Sequence, residues 1–203
     1  MKQHIGYFFS KNIIEYIKVF MFFVIGFIIS IIVINKSSDT QKKDLINYIN
    51  DKMEIVRNME SVDKNEIFVE SLGKNFKDFI ILIFLASSII GIPFGYYIIA
   101  KKGFSIGYTI SAIAATQNVK TAIIFICSSM VIHNIMYMIS IAIVFVSGVN
   151  FSKSVIKEKK ENIKYKILRY LIFVLISAVI VIISSIIEAY ISTDFIYFFK
   201  KYL

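Results

Sequence analysis

Four polar side chains stand inside otherwise apolar runs: His133, Asn134 and Tyr137 in one, and Glu188 in another. His133 and Tyr137 are one helical turn apart and share a face. A histidine, a phenol and a carboxylate brought together can hold or relay a proton. An ionisable group inside a membrane segment is by default a functional-site candidate. The competing reading is structural: the groups hydrogen-bond to one another between helices, or Glu188 reaches the water interface along its stem. Nothing here completes a catalytic set. The chain has two histidines, His4 and His133, and lacks a phosphate-binding glycine loop or a metal-ligand pair at helical spacing. No nucleophile has an evident base beside it. The expectation is therefore no catalytic residue, no metal and no cofactor, hence no enzyme.

The elements that must position these residues are read from hydropathy. Of 203 residues 57% are hydrophobic and only 18% charged, with a mean hydropathy of +0.72. Soluble domains carry about a quarter charged residues. The apolar residues fall in long blocks, and a helical crossing needs roughly 20 of them. The expected fold is all-α, a polytopic integral membrane protein with about five transmembrane helices, forming a single membrane domain over residues 1–203. The crossings are placed at about residues 19–34, 79–100, 103–115, 121–149 and 171–191. The third, at thirteen residues, is short enough to span only with its polar flanks or to re-enter under cover of protein. The first run follows a basic, amphipathic start, with Phe8, Phe9, Ile13, Ile14 and Ile17 near one face. No small-residue cleavage site follows it, so it is expected to stay as an anchor. Cys127, the single cysteine, reads as a packing residue.

Residues 36–78 form the only long polar segment, with eight basic and nine acidic side chains. Ser38-Asp39-Thr40-Gln41 and Asp63-Lys64-Asn65-Glu66 read as capping boxes that open helices. Leu45, Tyr48, Ile49, Met53 and Val56 recur at helical spacing, as do Phe68, Leu72, Phe76 and Phe79. The segment is expected to be a helical hairpin inserted between the first and second crossings. Its apolar stripe, Leu45, Ile49, Met53 and Val56, is either packed within the chain or a partner-binding face.

A net charge of +9 has a topological explanation, so no nucleic-acid partner is expected. Lys153, Lys157, Lys159, Lys160, Lys164, Lys166 and Arg169 crowd one short loop, which should be cytoplasmic. With five crossings the N-terminus and Lys101-Lys102 are then inside. The segment 36–78 and the C-terminus are extracytoplasmic.

Gly91-Ile92-Pro93 in the second run predicts a kink. Gly103, Gly107, Ser111 and Ala115, spaced by four, lie on one helix face. Small residues at that spacing let helices approach closely in lipid, within a protomer or in a homodimer.

These segments resemble the stage II sporulation protein M family. The resemblance covers most of the chain. It runs through residues 28–36, Asn75-Phe76-Lys77-Asp78, and Gly91-Ile92-Pro93 followed by Lys102-Gly103-Phe104-Ser105-Ile106-Gly107-Tyr108. His133-Asn134 and Ile187-Glu188-Ala189-Tyr190-Ile191-Ser192 continue it. One departure stands out: wider relatives have His-Gly with a Glu one turn on, where this chain has His133-Asn134 and Tyr137. A two-acid intramembrane site is therefore not intact. The resemblance implies the membrane component of the engulfment machine of endospore-forming bacteria, in the mother-cell membrane at the sporulation septum. It implies a scaffold for two cell-wall hydrolases, stage II sporulation proteins D and P, with the outer segment and the tail at 194–203 as contact surfaces. A transporter or channel component is the alternative, on the strength of Pro93, the short third run and Glu188.

Overall fold

The computed structural model describes residues 10–58, 63–116, 122, 123, 126, 130–157 and 163–199. The readings of residues 1–9, of Cys127 and of the tail beyond 199 lie outside the described residues. The described residues are helical, with no strand among them. Helix α1 is Ile13–Lys36, α2 Asp39–Asn58, α3 Lys64–Ala86, α4 Gly91–Thr116, α5 Ile132–Lys157 and α6 Ile163–Ile186. A π-helical turn, Ile187–Ser192, leads from α6 into a short α7, Thr193–Phe199. The stretches Ile13–Lys36, Ile132–Ile156 and Ile163–Phe195 are long and apolar enough to cross a membrane.

Both capping boxes open helices. Ser38 N donates to Gln41 Oε1 at 3.0 Å, and Gln41 N to Ser38 Oγ at 3.4 Å, starting α2. Asp63 Oδ1 accepts from Asn65 N at 2.9 Å and Glu66 N at 3.3 Å, starting α3.

Contacts fix the helix directions. Tyr96 OH donates to Glu15 Oε2, Gly103 lies on Phe23 and Gly107 on Phe27, so α1 and α4 run parallel. Lys153 reaches Glu15, and Phe145 meets Tyr96, so α5 runs against both. Tyr137 bonds Asn75 O and Ser152 bonds Ala86 O, so α3 runs with α5. Ser140 bonds Ser177 O and Ser184 bonds His133 O, so α6 runs against α5. In chain order α1, α3, α4, α5 and α6 therefore alternate in direction, around a core of Phe79, Leu82, Ile99, Tyr137, Ile141, Val144, Phe145 and Val181.

Two boundaries differ from expectation. The run at 79–100 is not one helix: α3 ends at Ala86, and α4 begins at Gly91 after a short turn. Lys101 and Lys102 do not close a helix either. They stand inside α4, whose 26 residues absorb the short third run. The turn is possible in apolar surroundings because carbonyls at the end of α3 find side-chain donors. Ser152 Oγ donates to Ala86 O at 2.6 Å, and Ser87 Oγ and Tyr170 OH donate to Ile83 O at 2.7 and 3.1 Å. Pro93 is then the third residue of α4, where a missing N–H leaves no helical bond unmade, so it kinks nothing.

Helix α2 lies on α4, while α3 packs on α5, α6 and α4.

Candidate functional site

The sequence-predicted polar residues converge. The π-helical turn places Glu188 between α3 and α5. Such a turn widens the helix by one residue and recurs at functional positions. Ser71 Oγ of α3 donates to Glu188 Oε2 at 2.5 Å, and His133 Nε2 lies 4.0 Å from the same oxygen. Ser192 Oγ is 3.4 Å from His133 Nδ1, and Ser184 Oγ donates to His133 O at 2.8 Å. Asn134 Nδ2 is 2.9 Å from His133 Nε2 and donates to Met130 O at 2.8 Å. Asn75, buried, donates through Nδ2 to Ser71 Oγ and Ser185 Oγ, each at 3.2 Å. Tyr137, 1% exposed, donates to Asn75 O at 3.3 Å.

Sequence reasoning missed Lys102. Its ammonium lies 4.4 Å from the centroid of the Tyr137 ring, within electrostatic reach of the carboxylates of Asp78 and Glu188 and of the like charge of Lys74. A charge read as a helix boundary is in fact the cation of the cluster. Ser71, Asn75, Ser184, Ser185 and Ser192 were missed as site residues, because small neutral polar side chains carry no signal of their own. The side chain of His133 is 11% exposed and that of Glu188 34%, so the carboxylate is the member that meets the surface. The arrangement can hold a proton or a small cation at Glu188, or serve as polar glue between helices. No group of three or more His, Cys, Asp and Glu side chains suited to a metal occurs among the described residues.

The small-residue face is used within the chain. A Cβ on Gly103 would strike Phe23 O, one on Gly107 Ser30 Oγ, and one on Gly26 of α1 Ala100 O. The partner stripe on α1, Gly26 and Ser30, has the same spacing of four. Ser111 is half-buried farther along, and Ala115 is exposed. The seam therefore gives no argument for a homodimer. Gly91 lies against the backbone of Leu85, which a side chain would obstruct.

The family model for stage II sporulation protein M matches residues 19–193. The chain belongs to this family. No curated protein and no solved structure matches it. For this member of the stage II sporulation protein M family, the match includes every residue of the polar cluster and both halves of the glycine seam. It also makes the chain a sporulation-related membrane protein.

The stripe on α2 is placed in part. Leu45 and Ile49 are half-buried, and Leu45 lines a cavity of about 600 Å³ with Ile32, Val33 and Tyr108, so it faces the chain's own helices. The side chains of Met53 and Val56 lie outside the described part. On either side of Leu45, Ile46 and Tyr48 are 36% and 58% exposed.

At the opposite end of the bundle, Glu15 accepts from Lys153 at 2.7 Å, Tyr96 at 2.9 Å and Lys18 at 3.3 Å. One carboxylate thus ties α1, α4 and α5.

Proposed function

We propose that this chain is a non-enzymatic membrane scaffold that anchors the peptidoglycan-remodelling hydrolases of forespore engulfment. Its partners are stage II sporulation proteins D and P, and its place is the mother-cell membrane at the sporulation septum. The observation that carries the reading is the family match over residues 19–193. In this reading α3 and α4 cross the bilayer beside the three more apolar helices, giving five crossings. The charges on the inner faces of α3 and α4 are tolerable because Asp78, Lys102, His133 and Glu188 meet one another rather than lipid. The basic segment at 153–169 is cytoplasmic, as is the N-terminus, and α2 and the C-terminus face outward. Exposed apolar side chains on α1 and α6, such as Phe20, Ile28, Leu171 and Leu175, face the bilayer. The hydrolases dock on α2, with the exposed Ile46 and Tyr48 on either side of its packed stripe as contacts.

The test is co-purification of the two hydrolases from sporulating cells. Ile46→Glu combined with Tyr48→Ala should reduce their recovery several-fold at unchanged membrane abundance. Full recovery would remove this surface from the proposal.

The alternative, a transporter or channel component, is favoured by one observation, the partly exposed carboxylate of Glu188 in a π-helical turn. Engulfment that proceeds normally with Glu188→Gln would leave that reading without support.

A further inference from the structure

The outer faces of the bundle are not equally suited to lipid. Through the middle of α1 and α6 they are apolar, with Ile25, Ile28, Val179 and Ile183 exposed. The exposed stripes of α3 and α4 change character halfway. On α3, Phe84, Ile81 and Ile80 give way to Lys77 and Lys74 toward the Glu188 end. On α4, Phe94 and Tyr97 give way to Lys101 in the same direction. All three lysines are exposed, and none forms an ion pair among the described residues. Each stands nine or more residues from the ends of its helix, so these are not boundary charges.

Packing sets their depth. Gly103 lies against Phe23, near the middle of α1, so Lys101 and Lys102 stand at the middle of the bundle. Tyr137 joins Lys102 to Asn75 O, which brings Lys74, Lys77 and Asp78 to about the same level. Lys102 is within electrostatic reach of Asp78 and Lys74, so the two lysine-bearing stretches are neighbours. The depth rests on the reading above, in which α3 and α4 cross the bilayer beside α1. A lysine stem covers only part of the roughly 15 Å from the midplane to the headgroups.

The charges at this level do not balance. Lys74, Lys77, Lys101 and Lys102 share it with the carboxylates of Asp78 and Glu188. Glu188 is engaged by Ser71 and lies beside His133. The connection between α4 and α5, residues 117–131, adds Lys120 and no acid. Glu70, the next acid on the α3 stripe, is a further turn outward. Lysines at the bilayer centre persist where a partner group meets them. A second copy is a poor partner. A two-fold axis along the membrane normal would set the lysines of one copy at the same depth as those of the other, and like charges repel. A membrane helix with a carboxylate at its midpoint supplies the missing charge. Its apolar remainder covers Tyr97 and Phe94 on the inner half of the stripe.

We propose that the exposed face of α3 and α4 around Lys77 and Lys101 receives a partner's transmembrane helix through an acidic side chain near that helix's midpoint. This contact lies within the membrane and is separate from the surface on α2.

The test uses the full chain in phosphatidylcholine vesicles with a synthetic helix of about 20 leucine and alanine residues, carrying a central Glu, Gln or Lys. Association is read by energy transfer between labels on the chain and the peptide. The Glu peptide should associate about fivefold more tightly than the Gln peptide. Lys77→Met and Lys101→Met should each reduce that preference. Lys101→Glu should transfer it to the Lys peptide, which a merely unfolded variant would not do. Lys43→Gln, on α2, should leave it unchanged. No preference for Glu over Gln, or a preference indifferent to Lys77→Met and Lys101→Met, would overturn the proposal. Energy transfer between two labelled chains that Lys101→Glu abolishes would give the face to a second copy and overturn it equally. A fluorophore on Lys101→Cys, in a Cys127→Ser background, separates this result from the topology. Quenching by aqueous iodide would remove the crossing of α4, and the proposal with it. Quenching by brominated lipid chains, with no peptide preference, would remove the proposal alone.

Discussion

The ammonium of Lys102 rests on the ring of Tyr137, 4.4 Å from its centroid, while the hydroxyl of that ring bonds Asn75 O at 3.3 Å. One buried tyrosine thus binds α4 through its face and α3 through its edge. Since Lys102 is within electrostatic reach of Glu188, charge removal at either position should be felt at the other. A double-mutant cycle of Lys102→Met and Glu188→Gln should show a coupling of about 0.5–3 kcal/mol in detergent unfolding. Strictly additive losses would mean that the two charges do not belong to one network.

Gly26→Val should destabilise the bundle by at least about 2 kcal/mol, because the added side chain meets the backbone of Ala100, which cannot rotate aside. Gly73→Ala is the contrast. That exposed glycine of α3 has nothing within 4 Å of a new Cβ, and the change should gain about 0.5–1 kcal/mol of helix stability. Thermal unfolding of the two variants side by side measures both.

Ser152→Ala and Tyr170→Phe should each cost about 1 kcal/mol, the first by stripping a donor from Ala86 O and the second from Ile83 O. Their combined loss, read from the unfolding midpoint, should concentrate at the α3–α4 turn. Faster hydrogen exchange at residues 83–92 than elsewhere in the double variant checks this.

Pro93→Ala should change stability by less than about 0.5 kcal/mol, since position three of α4 needs no helical hydrogen bond. A larger loss in thermal unfolding would return Pro93 to the interior of a continuous helix.

Cysteine labelling tests the path of the chain. In a Cys127→Ser background, Ser88→Cys in the turn should react with an impermeant thiol reagent only after the cytoplasmic face is opened. If α4 crosses the bilayer as proposed, Lys101→Cys, exposed in the middle of α4, should resist from both sides. Equal labelling at both positions would restore the helix break at Lys101-Lys102.

The parts of the fold legible in sequence were those encoded locally. Ser38 with Gln41, and Asp63 with its two amide donors, are four-residue devices and give the helix starts directly. The glycine seam was legible as a face, since spacing alone sets it. Its partner stripe on α1 was equally regular but stood in a run where every residue is apolar, so nothing set it apart. The turn after Ala86 was hidden because Ser87 and Ser88 barely interrupt the hydropathy, and what stabilises it comes from Ser152 and Tyr170, far along the chain. Lys102 misled for a related reason. A charge is expensive in lipid and reads as a boundary, until Tyr137, Asp78 and Glu188 are brought to it. His133, Asn134, Tyr137 and Glu188 could be nominated from polarity in an apolar setting, whereas the serines that orient them could not.

The parallel pairing of α1 with α4 sets a timetable for biogenesis. Helix α1 emerges first, yet the surface that receives Gly26 and Phe23 belongs to residues 100–104. At ribosomal speed the intervening chain takes roughly ten seconds to make. During that interval α1 must wait in lipid alone, which its composition permits, since it carries the highest hydropathy in the chain along with α6. Helix α4, with two lysines at its centre, has no such tolerance. It can settle only against a partner already in place, so the order of synthesis and the order of assembly coincide.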